Sequence, residues 1–269
     1  MEIRPLHSLE EFQRCVEIQK EVWGFDDPYD IVPLPLLVVS ERNDGIVLGA
    51  FENNEMIGFV YSLPGTHQNQ KVQWSHMLAV VSSLRNTDIG YKLKIAQYQA
   101  AQEMGYDVIE WTYDPLESKN AYFNLHKLGC IAHEYEINIY GITSSPLHSG
   151  TPTDRLIASW PIPPLRKELP RFKTIPSGSA VITVTHFEDA ALMIDDVHLD
   201  RSEQYLFLEI PYDMQNLKSV SAEAPLEWRL KTRDAFMHYL NAGYVVYSFL
   251  NFREETPRRS FYVLKNLKT

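Results

Sequence analysis

The stretch from Val72 to Leu93, VQWSHMLAVVSSLRNTDIGYKL, constrains this chain more than any other. It opens as an apolar run of strand length, crosses a short polar segment, and enters a segment of helical spacing. There Ile89, Leu93, Ala96, Ala100 and Met104 share one stripe, and Gly105 marks the helix end. A strand that feeds a polar loop and then a helix N-terminus is a ready anion site. The first N–H groups of the helix have no internal partner, and the dipole favours negative charge there.

The flanking sequence predicts alternating strands and helices. Met1 to Leu6 reads as a short strand. Ser8 with Glu11 three residues on forms a capping box, and Leu9, Phe12, Cys15, Val16, Gln19, Val22 and Trp23 fall near one helix face that ends at Gly24. Phe25 to Pro35, with three prolines and three aspartates, reads as a loop, and Leu36 to Arg42 as a second helix. Gly45–Phe51 and Glu55–Leu63 are strand-like runs joined through Asn53-Asn54, which tolerate the positive φ of a tight hairpin. Pro64 to Gln70 reads as a connection. Beyond Gly105, a strand over Asp107–Tyr113 breaks at Asp114-Pro115. A helix over Ser118–Leu128 closes at Gly129, and a strand spans Cys130–Tyr140.

From Gly141 to Ala180 the composition shifts: seven of the 16 prolines lie here. Leu156, Ile157 and Trp160 call for burial, so the segment reads as an ordered crossing. A second unit follows, with strands over Val181–Thr185, Leu206–Ile210, Tyr244–Leu250 and Ser260–Leu264 and a helix from about Pro225 to Ala242. The domain expectation is 1–145, a crossing segment 146–180, and an α+β unit 181–269. Met104-Gly105-Tyr106-Asp107-Val108-Ile109 echoes Ala242-Gly243-Tyr244-Val245-Val246-Tyr247, which suggests a degenerate half-copy; chance is the safer account, since helix–Gly–strand junctions are common.

The formal net charge of −10 argues against nucleic acid as the main partner, because such binding rests on neutralising phosphates. No stretch nears the ~18 apolar residues of a membrane span, and the N-terminus lacks a signal-peptide core, so a cytoplasmic protein with no membrane partner is expected. Cys15 and Cys130 read as buried reduced thiols, and no metal-ligand spacing surrounds either. A homo-oligomer is compatible with the sequence.

The residues Arg85, Asn86, Thr87, Asp88, Ile89 and Gly90 resemble the cofactor loop of the GNAT acyltransferases: Gln or Arg, two residues, Gly, one residue, then Gly or Ala. Arg85 and Gly90 fit; Asp88 stands where the family carries glycine. The resemblance covers roughly the first half of the chain. It extends to a branch of this length through WSHM from Trp74, DPLESKNAYFN from Asp114 and WRLKTR from Trp228. It implies an α/β mixed-sheet GNAT-like fold with a smaller C-terminal α+β unit, and acyl-coenzyme A as co-substrate, with acetyl or succinyl as the acyl group. The acceptor would be a small amine, an amino acid being favoured, since some relatives of this branch are associated with N-acylamino-acid metabolism. No metal is implied.

The resemblance also implies residue roles. Main-chain groups of Leu78, Ala79 and Val80 would orient the thioester arm. The segment Arg85 to Tyr91 would hold the diphosphate, with Arg85, Lys92 and Lys94 adding charge, although a lysine on a helix is ordinarily solvated. Asp88 would either repel phosphate or cap the helix with its side chain turned away. His76 is the expected general base; a core histidine bonded to a carbonyl is the plain alternative. Ser75 points to the opposite face of a regular strand. The family's acidic tyrosine falls at Leu125, so Asn124 or Tyr122 would replace it, with Asn120 on the cofactor arm. Arg229 and Arg233, four apart on one helix face, would read a carboxylate, or else pair with an acid such as Asp154. Asp88 and Leu125 together motivate the rival reading, a binding protein of this fold without catalysis.

Overall fold

The computed structural model describes residues 1–25, 27–85, 87–141, 151–186, 192–252 and 258–267. The chain divides into two compact units. One holds Met1–Trp111 and Trp160–Pro164; the other holds the remaining described residues.

Unit one is a mixed α/β layer structure. β1 (Glu2–Pro5), β2 (Val47–Glu52), β3 (Glu55–His67) and β4 (Gln70–Val80) pair antiparallel in sequence order, and β5 (Val108–Tyr113) then runs parallel to β4. The first helix, α1 (Leu9–Trp23), begins as the sequence predicts. Ser8 accepts from the Glu11 N–H, and the Glu11 side chain reaches back to the Ser8 N–H. Gly24, at φ 62°, closes it in the left-handed conformation. α2 (Leu34–Arg42) packs on β2 and β3, and α3 (Ile89–Glu103) packs on β2, β3 and β4. The two faces of β3 separate these layers. Tyr61 shares a hydrogen bond with Ser40 of α2 (2.8 Å), whereas Gly58 lies under Leu93 of α3. Gly58 is obligatory, since a Cβ there would sit 2.7 Å from the Ala79 carbonyl.

The segment from Pro64 to Gln70 is not a loop. β3 runs on to His67, the turn is Gln68-Asn69 at φ 48° and 65°, and Pro64 pairs with Gln73. Continuous pairing along the hairpin outweighs the local proline and glycine signals.

Unit two contains a short helix α4 (Ser118–Ala121) continued by a π-helical turn, Tyr122–Lys127. Its strands β6 (Ile131–Glu136), β7 (Arg155–Pro161), β10 (Tyr205–Ile210), β11 (Tyr244–Phe252) and β12 (Arg259–Asn266) lie in the order β7-β6-β11-β12-β10. β8 (Ile182–His186) and β9 (Leu192–Val197) pair antiparallel in a separate two-stranded sheet. Two helices, α5 (Met214–Val220) and α6 (Ala224–Asn241), complete it. β7 occupies part of the proline-rich segment, where Leu156, Ile157 and Trp160 are buried as their chemistry requires.

The first unit runs on to Trp111, and within the second unit Arg229 pairs with Asp114 and the Tyr262 hydroxyl donates to the Pro115 carbonyl (2.8 Å). β4 lies parallel beside β5, whereas β10 pairs antiparallel with β12.

Candidate functional site

In unit one, β4 and β5 pair over three registers only, ending at Trp74 with Glu110. Beyond Trp74, β4 stays paired with β3 to Val80, but its other edge has left β5. The Val81 N–H donates to the Ile57 carbonyl (2.9 Å). By the alternation of an antiparallel ladder, the main-chain groups of Leu78 and Val80 face the open edge. They line a cleft of about 230 Å³ together with Ala79, with Leu84, Arg85, Thr87 and Gly90 of the next segment, and with Val22 and Trp23 at the end of α1.

The N-terminus of α3 opens into this cleft at Gly90. No side chain caps it. Asp88 occupies the cap position, but its carboxylate pairs with Lys92 at 2.7 Å, and that hydrogen bond is the main cause holding its pKa below the ordinary value. The expected side-chain cap is thus absent, and the Lys92 charge is spent on Asp88 rather than on the cleft. Ile89 is buried and Tyr91 exposed. The Thr87 hydroxyl turns back to the Leu84 carbonyl (2.7 Å). Gly90 leaves real space: a Cβ there would meet only Leu78 Cδ2, at 3.8 Å. Asn86 lies outside the described residues.

Lys94 departs furthest from expectation. It is neither solvated nor near the loop, but 2 % exposed, donating to Ser75 (2.8 Å) and Gln97 (3.1 Å), with its ammonium 3.5 Å from the Trp111 ring centre. An ammonium over an indole face gains from the ring quadrupole, most so when desolvated. Average lysine behaviour gave no hint of it; the neighbouring Ser75 hydroxyl and Trp111 were the available signals.

His76 sits at a β-bulge. Tyr61 pairs with Met77 and Ser62 with Ser75, which leaves His76 as the extra residue. The bulge turns its ring away from α3, edge-on to Tyr61 at 6.1 Å, while Ser75 faces α3. His76 is solvent-exposed, and no hydrogen bond to its ring is found among the described residues, so it is not a core histidine tied to a carbonyl. Its surroundings are nonetheless crowded, and desolvation lowers its pKa below the ordinary 6.5, which favours the neutral imidazole.

Asn120 and Asn124 belong to unit two. Asn120 is exposed, whereas Asn124 and Leu125 are buried in the π-helical turn. Tyr122 stacks on His126 at 4.5 Å. Arg229 and Arg233 do not present free guanidinium groups to a ligand. Arg229 Nη2 donates to both oxygens of Asp114 (2.8 and 2.7 Å), and Arg233 clasps Asp154 through Nε and Nη2 (2.8 and 3.0 Å). Burial pushes the Asp114 carboxyl up, but the Arg229 charge and hydrogen bond, with Arg155 beyond, more than offset it and leave the pKa lowered. Arg233 thus makes the pair with Asp154 that the sequence suggests as the alternative, whereas the partner of Arg229 is Asp114.

Among the described residues, no group of three or more His, Cys, Asp or Glu could hold a metal ion, and no helix is long and apolar enough to cross a membrane. No family model matches the chain, and no curated protein matches it in sequence. Solved structures similar to it include acetyltransferases. An aminoglycoside 6'-acetyltransferase type Ii is 18% identical, with 64% of this chain and 99% of that one covered and a TM-score of 0.48. The ribosomal-protein-S18-alanine N-acetyltransferase from Escherichia coli is 13% identical over the same shares, also at 0.48. A NatC complex bound to Gag peptide and CoA is 19% identical, covering 60% of this chain and 99% of that one, at 0.46.

Proposed function

We propose that the chain is a GNAT-type N-acyltransferase that binds acyl-coenzyme A in the cleft between β4 and α3 and passes the acyl group to a small amine. The observation that carries this reading is the three-register β4–β5 pairing beside an uncapped helix N-terminus. Such a cleft suits a ligand with an amide-bearing arm at one end and an anionic diphosphate at the other. The open edge at Leu78 and Val80 supplies strand-like partners for amides. The first N–H groups of α3 supply donors and a favourable dipole for phosphate oxygens. Gly90 lets them approach closely.

Acyl-coenzyme A contributes an activated thioester carbonyl when bound. His76, directly or through water, would take the proton that an ammonium must lose before it can attack, and a lowered pKa keeps the imidazole ready to do so near neutrality. A main-chain N–H at the open edge would donate to the carbonyl oxygen as charge develops there; as the C–N bond forms the C–S bond breaks, and coenzyme A leaves as a thiolate that takes its proton from water. No catalytic step is placed on Asn124, whose side chain is buried, or on Asn120. An amino acid is the favoured acceptor and acetyl or succinyl the favoured acyl group, with a cytoplasmic setting and a homo-oligomer compatible with both.

The test is thermal unfolding with free, acetyl- and succinyl-coenzyme A, followed by a thiol-release assay over amino acids. A ligand at ~100 times its dissociation constant stabilises by about 2.7 kcal/mol. Stabilisation with turnover supports the proposal. Stabilisation without turnover of any amine favours the binding-protein reading, and a cooperative melt that no coenzyme A form shifts removes both.

A further inference from the structure

Two side chain–main chain bonds join the last turn of α1 to the segment that follows β4. Arg85 Nη2 donates to the Val22 carbonyl (2.6 Å), and the Ser82 N–H donates to Glu21 Oε1 (3.3 Å). Val22 is the penultimate residue of α1, so its carbonyl is among the last four that the helix cannot satisfy internally. A cation there also complements the negative end of the helix dipole. The segment that follows α1 is fastened a second time. Buried Gln19 accepts from the Val32 N–H (2.8 Å) and donates to the Val32 carbonyl (3.3 Å), as a strand partner would.

We infer that Arg85 is a positioning residue: with Glu21 it ties the segment after β4 to the last turn of α1, and so sets the segment ending at Val32, while phosphate contact is left to main-chain N–H groups. The guanidinium is already engaged by a carbonyl oxygen, and the donors that have no side-chain cap are those of α3. The pair of bonds is reciprocal. α1 supplies one carbonyl and one carboxylate, and the segment 82–85 supplies one guanidinium and one N–H. Losing either bond frees one strand of the same tie. A substitution at Glu21 should therefore mimic one at Arg85 although the two side chains carry opposite charges. A phosphate-binding cation would show no such equivalence.

The coenzyme A comparison rests on the proposed acyltransferase reading; the exchange comparison does not. Arg85→Ala and Glu21→Ala are compared with the unmodified protein by hydrogen exchange, following the amides of Ile31, Val32, Ser82, Leu84 and Arg85. Coenzyme A affinity is measured in parallel. Both variants are expected to exchange roughly fivefold faster at these amides, the factor that about 1 kcal/mol of lost hydrogen bonding gives. Coenzyme A affinity should stay within about threefold. Unchanged exchange in Arg85→Ala overturns the inference. So does a tenfold or greater loss of coenzyme A affinity confined to Arg85→Ala. Should Arg85→Ala fail to fold, unchanged exchange in Glu21→Ala overturns it equally. If the unmodified protein binds no coenzyme A, the functional proposal falls while the exchange comparison still decides this one.

Discussion

Replacing Gly90 separates the cleft's role from its contribution to stability. Gly90 is the second residue of α3, and a Cβ there would meet Leu78 Cδ2 at 3.8 Å, an ordinary contact. Alanine therefore fits without strain. Removing a glycine from a helix gains up to ~1 kcal/mol, less in the first turn. The ligand-free Gly90→Ala protein should melt at the same temperature as the parent or up to about 2–4 °C higher. The added methyl projects toward Leu78, into the space a diphosphate needs in order to reach the N–H groups of α3. Valine adds two more carbons there. If Gly90→Val weakens coenzyme A binding about 100-fold, a concentration that stabilises the parent by about 2.7 kcal/mol stabilises the variant by only ~0.4 kcal/mol. A scanning-calorimetry titration with coenzyme A reads both quantities. A variant that melts like the parent and also keeps the parent's coenzyme A affinity would refute placing the ligand between β4 and α3. A loss of several kcal/mol without ligand would show that the space at Gly90 is not there.

Other outcomes follow from the same geometry. Asp88→Asn should leave the melting temperature unchanged, because the Asp88–Lys92 pair is solvent-exposed, and should tighten coenzyme A binding a few-fold, more at low ionic strength; weaker binding in a titration would contradict this. The folded pKa of His76 is depressed, so protonation is penalised in the folded state and stability falls as pH drops below 6.5. In the proposed reaction the acid limb of kcat/KM should lie below pH 6.5, and His76→Gln should abolish that limb; a limb that persists in the variant excludes His76 as base. Arg229→Met strands the buried Asp114 carboxylate and should cost about 3–5 kcal/mol in denaturant unfolding. Because the Asp114 pKa is lowered, its contribution is present above the usual carboxylate range and lost as pH falls through the folded value, so the penalty should shrink in acid.

Local signals were legible in the sequence wherever the physics is local. The Ser8–Glu11 capping box, the left-handed Gly24 and the Asn53-Asn54 turn, at φ 51° and 66°, each depend on a few adjacent residues. The open helix terminus before Gly90 was legible for the same reason. What failed depends on partners far along the chain. Asp114 and Arg229 are 115 positions apart, and no spacing rule within α6 reveals that its arginines face inward to acids. The bulge at His76 exists only relative to β3, so a regular alternation separated His76 from Ser75 correctly but without the register shift that causes it. Lys94 departs from the average lysine that composition describes, because an indole face and two side-chain oxygens hold its ammonium. β7 was hidden by the prolines around it, since breakers mark the ends of a strand as readily as its absence.

The early parting of β4 from β5 has a further implication. At that edge the sheet is left one strand short, and whatever completes it is read by peptide groups that every residue except proline carries. Recognition of this kind is nearly indifferent to which side chains are present. Substitutions at Leu78 or Val80 can accumulate while the hydrogen-bonding pattern persists, and only proline or a change in strand path would erase it. A template written in the backbone would let sequences drift far apart while still admitting the same extended, amide-bearing guest.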